Sequence, residues 1–265
     1  MHRILMCPPR YFGVHYSINP WMQGQIGRVN GERARQQWES FSAALGEVAA
    51  IDLLEPRKEV PDMVFTANAG LVRGSHFIPS RFRYPERRRE EPLFQEWFRN
   101  QGYELIPPPP GCSFEGAGDA LFSPDRNLLW AGWGFRTDPE IPEFLERSLD
   151  VRVVPLKLTD PRFYHLDTCF CPLEEGGAMY YPPAFDEESR NRILENVRTC
   201  IPVSEEDALA FACNAVLVGR NLFMNSASPE LNQRLTREGY AVHLHPVDEF
   251  LKAGGANKCL TLELS

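Results

Sequence analysis

One order of elements, strand, strand, helix, strand, recurs four times along this sequence, and a fifth copy is divided between its two ends. Apolar residues spaced by two mark the strands and by 3.6 the helices. The first unit reads as strands over 63–72 and 76–79, a helix over 91–101 with Leu93, Trp97 and Phe98 on one face, and a strand over 103–106. The second has strands over 119–122 and 127–130, a helix near 139–149 and a strand over 151–154. The third has strands over 166–171 and 178–181, a helix near 187–197 and a short strand at Ile201. The fourth has strands over 215–219 and 222–225, a helix near 229–238 and a strand over 240–244. The fifth takes its first strand from 259–264 and its second from 3–7, and is completed by a helix near 32–49 and a strand over 50–53.

A repeat of roughly 45–55 residues is the signature of a ring or a solenoid. A split unit favours the ring, because closure makes the first and last strands neighbours and leaves no free sheet edge. The expected fold is therefore an α/β ring of five ββαβ units with pseudo-five-fold symmetry. It forms a single domain over 1–265 with its fifth unit shared by the termini. The rival is an open α/β sheet, which has no need for such regular order. A length of 265 residues is ample for one such core. The run from Pro107 to Pro110 reads as an extended connection inside the ring.

Composition removes other classes. A net charge of −8 without a basic stripe argues against nucleic acid as a partner. No apolar run approaches the roughly 20 residues of a membrane helix, so no membrane partner is expected. Seven cysteines, an odd number, behind an N-terminus without a secretory pattern point to a reduced, cytoplasmic setting. The cluster Arg87-Arg88-Arg89, followed by Glu90-Glu91, reads as a solvated helix start.

Five segments near the unit starts carry unusual polar content, about 50 residues apart: Phe65-Thr-Ala-Asn68-Ala-Gly70, Phe114-Glu115-Gly-Ala-Gly-Asp119, Tyr164-His165-Leu-Asp167-Thr, Ala212-Cys213-Asn214-Ala and Gly254-Gly255-Ala-Asn-Lys-Cys259. Equivalent positions of a closed ring converge on its axis. Asn68, Glu115, His165, the Cys213 region and Cys259 are thus expected to meet. A thiolate is a strong nucleophile once a base or cation lowers its pKa. His165 is suited to moving protons, and Glu115 and Asp119 to a cationic substrate. Cys169 and Cys171 alternate on a strand without a second pair at zinc-ligand spacing, so they read as core. His243 and His245 read as structural or surface residues. Gly116-Ala-Gly118 lacks the third glycine of a dinucleotide loop and is not read as one.

These residues also carry a family likeness. Pro61-Asp62-Met-Val-Phe65-Thr-Ala-Asn68, Phe114-Glu115-Gly-Ala-Gly-Asp119, His165-Leu-Asp167-Thr-Cys169 and Lys258-Cys259-Leu-Thr-Leu resemble the guanidine-modifying superfamily. Its members are arginine deiminases, dimethylarginine dimethylaminohydrolases and amidinotransferases, and the resemblance implies their five-bladed α/β propeller, the pentein fold. Leu5-Met-Cys-Pro-Pro9, Ile18-Asn19-Pro20-Trp21-Met22, Phe163-Tyr-His165-Leu-Asp-Thr-Cys-Phe-Cys-Pro172 and Phe250-Leu-Lys-Ala-Gly-Gly255 narrow the likeness to the cyanobacterial arginine dihydrolases. The chain is expected to lack the C-terminal ornithine-processing domain of the longer members.

The resemblance implies a small-molecule substrate, L-arginine or a methylated arginine, and neither metal nor organic cofactor. Cys259 is the implied nucleophile, His165 the general acid and base, and Glu115 the guanidinium partner. Asn68 stands where deiminases and dimethylaminohydrolases usually carry Asp. Asn19, Asp119, Arg81 and Arg136 are implied to hold the amino-acid end, with Asp62 also at the substrate. An Asp opposite a guanidinium loses its ion pair once the group becomes a neutral ureido. An Asn both donates and accepts, and is expected to hold that product for a second hydrolysis. The implied reaction converts arginine to ornithine, carbon dioxide and two ammonia. The alternatives are a dimethylargininase or a deiminase giving citrulline and, further off, an amidinotransferase or a non-catalytic arginine-binding protein. Residues 13–25 could form a lid or an interface, with the lid favoured because loops near ligands are often mobile, and a homo-oligomer is compatible with the sequence.

Overall fold

The computed structural model describes residues 2–264. Its strands form five separate three-stranded sheets, each built the same way. An inner strand pairs antiparallel with a middle strand. The middle strand pairs parallel with an outer strand. A parallel pair needs a crossover, and in each blade a helix supplies it. Blade one comprises Gly70–Arg73, His76–Pro79, the helix Glu91–Asn100 and Glu104–Leu105. Blade two comprises Ala120–Phe122, Leu128–Trp133, Ile141–Leu149 and Arg152–Lys157. Blade three comprises Phe170–Leu173, Gly177–Tyr180, Glu187–Asn196 and Thr199–Pro202. Blade four comprises Val216–Val218, Asn221–Met224, Pro229–Arg237 and Ala241–Leu244. In blade five the C-terminal Leu262–Glu263 pairs antiparallel with Arg3–Met6, which pairs parallel with Ala50–Leu53 after the helix Gly31–Gly46. This is the pentein architecture.

Local chemistry starts the helices where the pattern places them. The Asn30, Asp186 and Ser228 side chains accept from the backbone N–H three residues on, and Pro229 occupies the first helical position. The helices pack inward through large side chains. Phe94 and Phe98 are fully buried, and Phe98 stacks on Phe77 of the middle strand at 3.6 Å between centroids. Leu93 and Trp97 flank them, half-buried, so the buried stripe is shifted by one residue from the expected face.

Three strand expectations need correction. The strand read over 63–72 is a pair of 3-10 turns, Pro61–Val64 and Thr66–Ala69, and only Gly70–Arg73 is extended. Likewise Leu166–Thr168 is a 3-10 turn ahead of Phe170–Leu173, and Cys259 lies in a turn ahead of Leu262–Glu263. A short buried apolar run has the same composition whether it turns or extends, so periodicity does not separate the two. The sequence pattern also passed over two short helices, Glu205–Leu209 and Asp248–Leu251. The first carries a readable signal, the Ser204 cap followed by three acidic residues.

An open cavity is lined by residues from the inner strand of every blade, among them Val72, Leu121, Cys171, Leu217 and Leu262. The cavity follows the axis of the ring but holds none of the expected site residues. Among the described residues no helix is long and apolar enough to cross a membrane.

Candidate active site

The turns that precede the five inner strands meet at the axis, and hydrogen bonds close them into a circle. The Asn68 amide donates to the Glu115 carbonyl at 3.1 Å. The Leu166 N–H donates to Asp119 at 3.0 Å, and Asn214 donates to the Asp167 carbonyl at 2.9 Å. The Cys259 N–H donates to Asn214 at 3.1 Å, and the Ala67 N–H returns to the Cys259 carbonyl at 3.2 Å. Each blade therefore contributes one turn, and each turn is held by its neighbours. The expected convergence of Asn68, Glu115, His165 and Cys259 is what these bonds produce. In the fourth turn it is Asn214 that reaches the axis, whereas Cys213 is buried beside Cys171.

Asn68, His165 and Cys259 line one small cavity, together with Asn19, Asp62, Arg87 and Arg136. Glu115 lies behind His165, fully buried, with Oε2 2.8 Å from His165 Nε2 and 2.9 Å from Arg136 Nη1. Burial works against its charge, but Arg136 and the bond to His165 outweigh it and hold the carboxyl down at about 2. It is therefore ionised at neutral pH. Asp119 takes the Thr137 hydroxyl at 2.7 Å and the Leu166 N–H, and burial raises it to about 6. Asp167 receives the Cys259 thiol at 3.3 Å, and burial raises it to about 7. Burial, reinforced by Asp167, pushes the Cys259 thiol well up. Both influences favour the protonated thiol. A cation entering the cavity would shift that balance towards thiolate.

The depressed Glu115 value has a stability consequence with a definite sign. A carboxyl whose folded value lies below its ordinary 4.5 contributes stability that is complete above about pH 4.5 and lost as pH falls towards 2. Unfolding free energy measured by urea between about pH 5 and pH 2.5 is expected to fall less steeply in Glu115→Gln than in the parent protein. Equal slopes would contradict the assignment of that charge.

Not every expected residue reaches the cavity. Arg81 does not: its guanidinium is spent on the carbonyls of Pro108, Pro109 and Cys112, beside the proline-rich connection. Asp119 does not line it either, because both of its oxygens are committed to holding the second and third turns. Arg87 takes the place expected of Arg81. The expected solvated cluster holds for Arg88 and Arg89, which are exposed, but Arg87 is buried. It forms a two-point ion pair with buried Glu90 and donates to Asn68 Oδ1 at 2.8 Å. Nothing in the run of three arginines marks the first of them as the inward one; the Glu90 three residues on is the available clue.

The remaining wall comes from the segment expected to be a lid. Asn19 caps the turn Pro20–Met22 and donates to the Ala253 carbonyl at 3.0 Å. Arg136 donates to the Ile18 carbonyl and lies 4.6 Å from the ring centroids of both Tyr84 and Tyr164. The Tyr16 hydroxyl donates to Asp62 Oδ2 at 2.8 Å. Asp62 Oδ1 is buried and has no partner among the described residues.

Close packing around the turns leaves no room for extra atoms. A Cβ on Gly118 would lie 2.5 Å from the Asn68 amide nitrogen and 3.3 Å from His165 Nδ1. Gly118→Ala is therefore expected to displace both side chains, cost about 1–3 kcal/mol of stability and lower turnover at least about tenfold. Thermal unfolding and initial rates check both parts, and unchanged rates would show that the two side chains tolerate the shift.

The geometry can be set beside known proteins. The family model described as N,N dimethylarginine dimethylhydrolase, eukaryotic, matches residues 13–265. A bifunctional arginine dihydrolase/ornithine cyclodeaminase, ArgZ of Synechocystis sp., is 50% identical over 266 residues, covering 99% of this chain and 38% of that protein. The N(G),N(G)-dimethylarginine dimethylaminohydrolase of Mycobacterium tuberculosis is 37% identical over 263 residues, covering 99% of this chain and 85% of that protein. The crystal structure of the N-terminal domain of ArgZ bound to product matches with a TM-score of 0.98 at 49% identity, covering 100% of this chain and 97% of that one. The chain thus spans about 38% of the length of the cyanobacterial relatives. On this sequence match, carried over nearly its whole length, the chain belongs to the dimethylarginine dimethylaminohydrolase family.

Proposed function

We propose that this protein is a cysteine-dependent guanidino C–N hydrolase acting on L-arginine, and that it carries the hydrolysis through citrulline to ornithine. The observation that carries the reading is Asn68. A neutral amide, not a carboxylate, faces the cavity that holds Cys259 and His165. Its Oδ1 is fixed by Arg87 and its Nδ2 by the Glu115 carbonyl. Each end keeps one further bonding capacity, which suits a ureido group as well as a guanidinium. The likeness to the arginine dihydrolase/ornithine cyclodeaminases supports the same reading.

The steps follow from the geometry. An incoming guanidinium supplies the positive charge that turns the Cys259 thiol into a thiolate. The thiolate attacks the guanidinium carbon, and ammonia leaves with a proton from His165, whose imidazolium Glu115 stabilises. A thiouronium on Cys259 remains. Water, giving one proton to His165, attacks that carbon and releases citrulline with the thiolate restored, and the second proton passes to the departed ammonia as ammonium. Held by Asn68, citrulline passes through the same cycle with a second water. A second ammonia leaves, and hydrolysis of the thiocarbamate left on Cys259 gives the Nδ-carbamate of ornithine, which decomposes to ornithine and carbon dioxide. At the other end of the substrate, the unpartnered Asp62 Oδ1 takes the α-ammonium, and Arg136 and Arg87 take the carboxylate.

Counting products tests the reading: purified protein with L-arginine is expected to give ornithine and close to two ammonia per arginine. Citrulline with one ammonia would overturn the two-round reading, and untouched arginine would overturn the substrate. A second reading, hydrolysis of methylated arginine, is favoured by the family match and by the mycobacterial relative. Dimethylarginine supplied in the same assay decides it by release of dimethylamine. The placement of Arg81 gives a further expectation. Arg81→Ala should leave KM for arginine within about twofold, because that side chain bonds only backbone carbonyls away from the cavity. A large rise in KM would return Arg81 to the substrate.

A further inference from the structure

Asn214 sits in the fourth axial turn, fully buried, and the mechanism above gives it no task. All of its side-chain hydrogen bonds lie around Cys259. Nδ2 donates to Cys259 Sγ at 3.1 Å and to the Asp167 carbonyl at 2.9 Å. Oδ1 accepts the Cys259 N–H at 3.1 Å and the Ala256 N–H at 3.2 Å. A primary amide has two donor hydrogens and two acceptor lone pairs, so this side chain is saturated. Its orientation is also determined. Turned over, it would set its oxygen against the Asp167 carbonyl and its N–H groups against two N–H donors. The nitrogen therefore faces the sulfur.

That direction discriminates between the two forms of the sulfur. A thiol sulfur is a weak acceptor, whereas a thiolate is a charged one whose hydrogen bonds are roughly twice as strong. Asp167 and burial oppose ionisation, and Asn214 works against them. The donor is already in place, so the charge forms without reorganisation of the turn.

We propose that Asn214 is the thiolate-stabilising residue of Cys259, gripping that residue at once by its backbone N–H and by its sulfur. The inference rests on Cys259 being the nucleophile, but its test needs no substrate. Iodoacetamide alkylation of Cys259, followed by peptide mass mapping across about pH 6 to 11, gives the ionisation midpoint in the intact protein. Asn214→Ala is expected to slow alkylation near pH 7 about tenfold and to move the midpoint up by about one pH unit. Asn214→Asp keeps an acceptor for the two N–H groups but replaces the donor by a charge, and should move the midpoint further in the same direction. A purely structural role would lower the unfolding temperature and leave the midpoint in place. In the parent protein the Asn214 side-chain amide resonance should titrate with the Cys259 midpoint, a readout that does not depend on either variant folding. An unmoved midpoint in folded Asn214→Ala, or an amide resonance that ignores thiol ionisation, would overturn the proposal. If arginine is left untouched while the midpoint still shifts, the substrate reading fails and this one stands.

Discussion

Cys259→Ala is expected to lower ammonia release from arginine by at least about 10⁴-fold while leaving the fold intact. The side chain is small and buried in the fifth axial turn, and its backbone N–H and carbonyl tie that turn to Asn214 and Ala67 whether or not the sulfur is present. Removing the sulfur therefore deletes the nucleophile without cutting the circle of bonds. Circular dichroism and thermal unfolding should show a folded protein, and a sensitive ammonia assay should show a rate close to the background. Cys259→Ser should behave in the same way, because an alcohol is much less readily ionised than a thiol. Turnover within about tenfold of the parent would place the nucleophile elsewhere.

The second large effect concerns product rather than rate. Asn68→Asp is expected to change the main product from ornithine to citrulline, with ammonia falling from about two to about one per arginine. The first round should survive, because a carboxylate pairs with a guanidinium at least as well as an amide does. The second should fall by about ten- to a hundredfold, because a neutral ureido group offers no ion pair, and a carboxylate offers it no donor. Inside the protein the substitution trades one bond for another: Arg87 gains a charged partner, and the Glu115 carbonyl loses the donor now 3.1 Å away. Separate time courses with arginine and with citrulline as substrates distinguish the rounds. A variant that still yields mainly ornithine would remove Asn68 from the explanation.

The Cys259 side of the cavity was legible because it is carried by single residues at equivalent positions of a repeat. Cys259, His165, Glu115 and Asn68 each lie in the turn before an inner strand, and the spacing of the units places those turns together. The opposite side was less legible because reach, not position, decides it. Arg81 and Arg87 are close in the chain and carry the same side chain. One bonds carbonyls next to 107–110, and the other turns inward onto Glu90 and Asn68. Asn214 was passed over for a different reason: the cysteine beside it is the residue type that draws attention, and an amide has no chemistry of its own until a partner is specified.

The sequence by itself determined the order of elements, the division of one unit between the termini, the five polar segments and the identity of the residues able to do chemistry in four of them. These depend on local pattern and on composition, which a single chain displays directly. Only the tertiary structure decided that the starts of three inner strands are turns, that Arg87 and not Arg81 faces the cavity, that Asp119 holds turns together and that Asn214 grips Cys259. Each of these is a choice among partners contributed by different blades. Such a choice depends on the distances and directions set when the ring closes, and those are properties of the packed molecule.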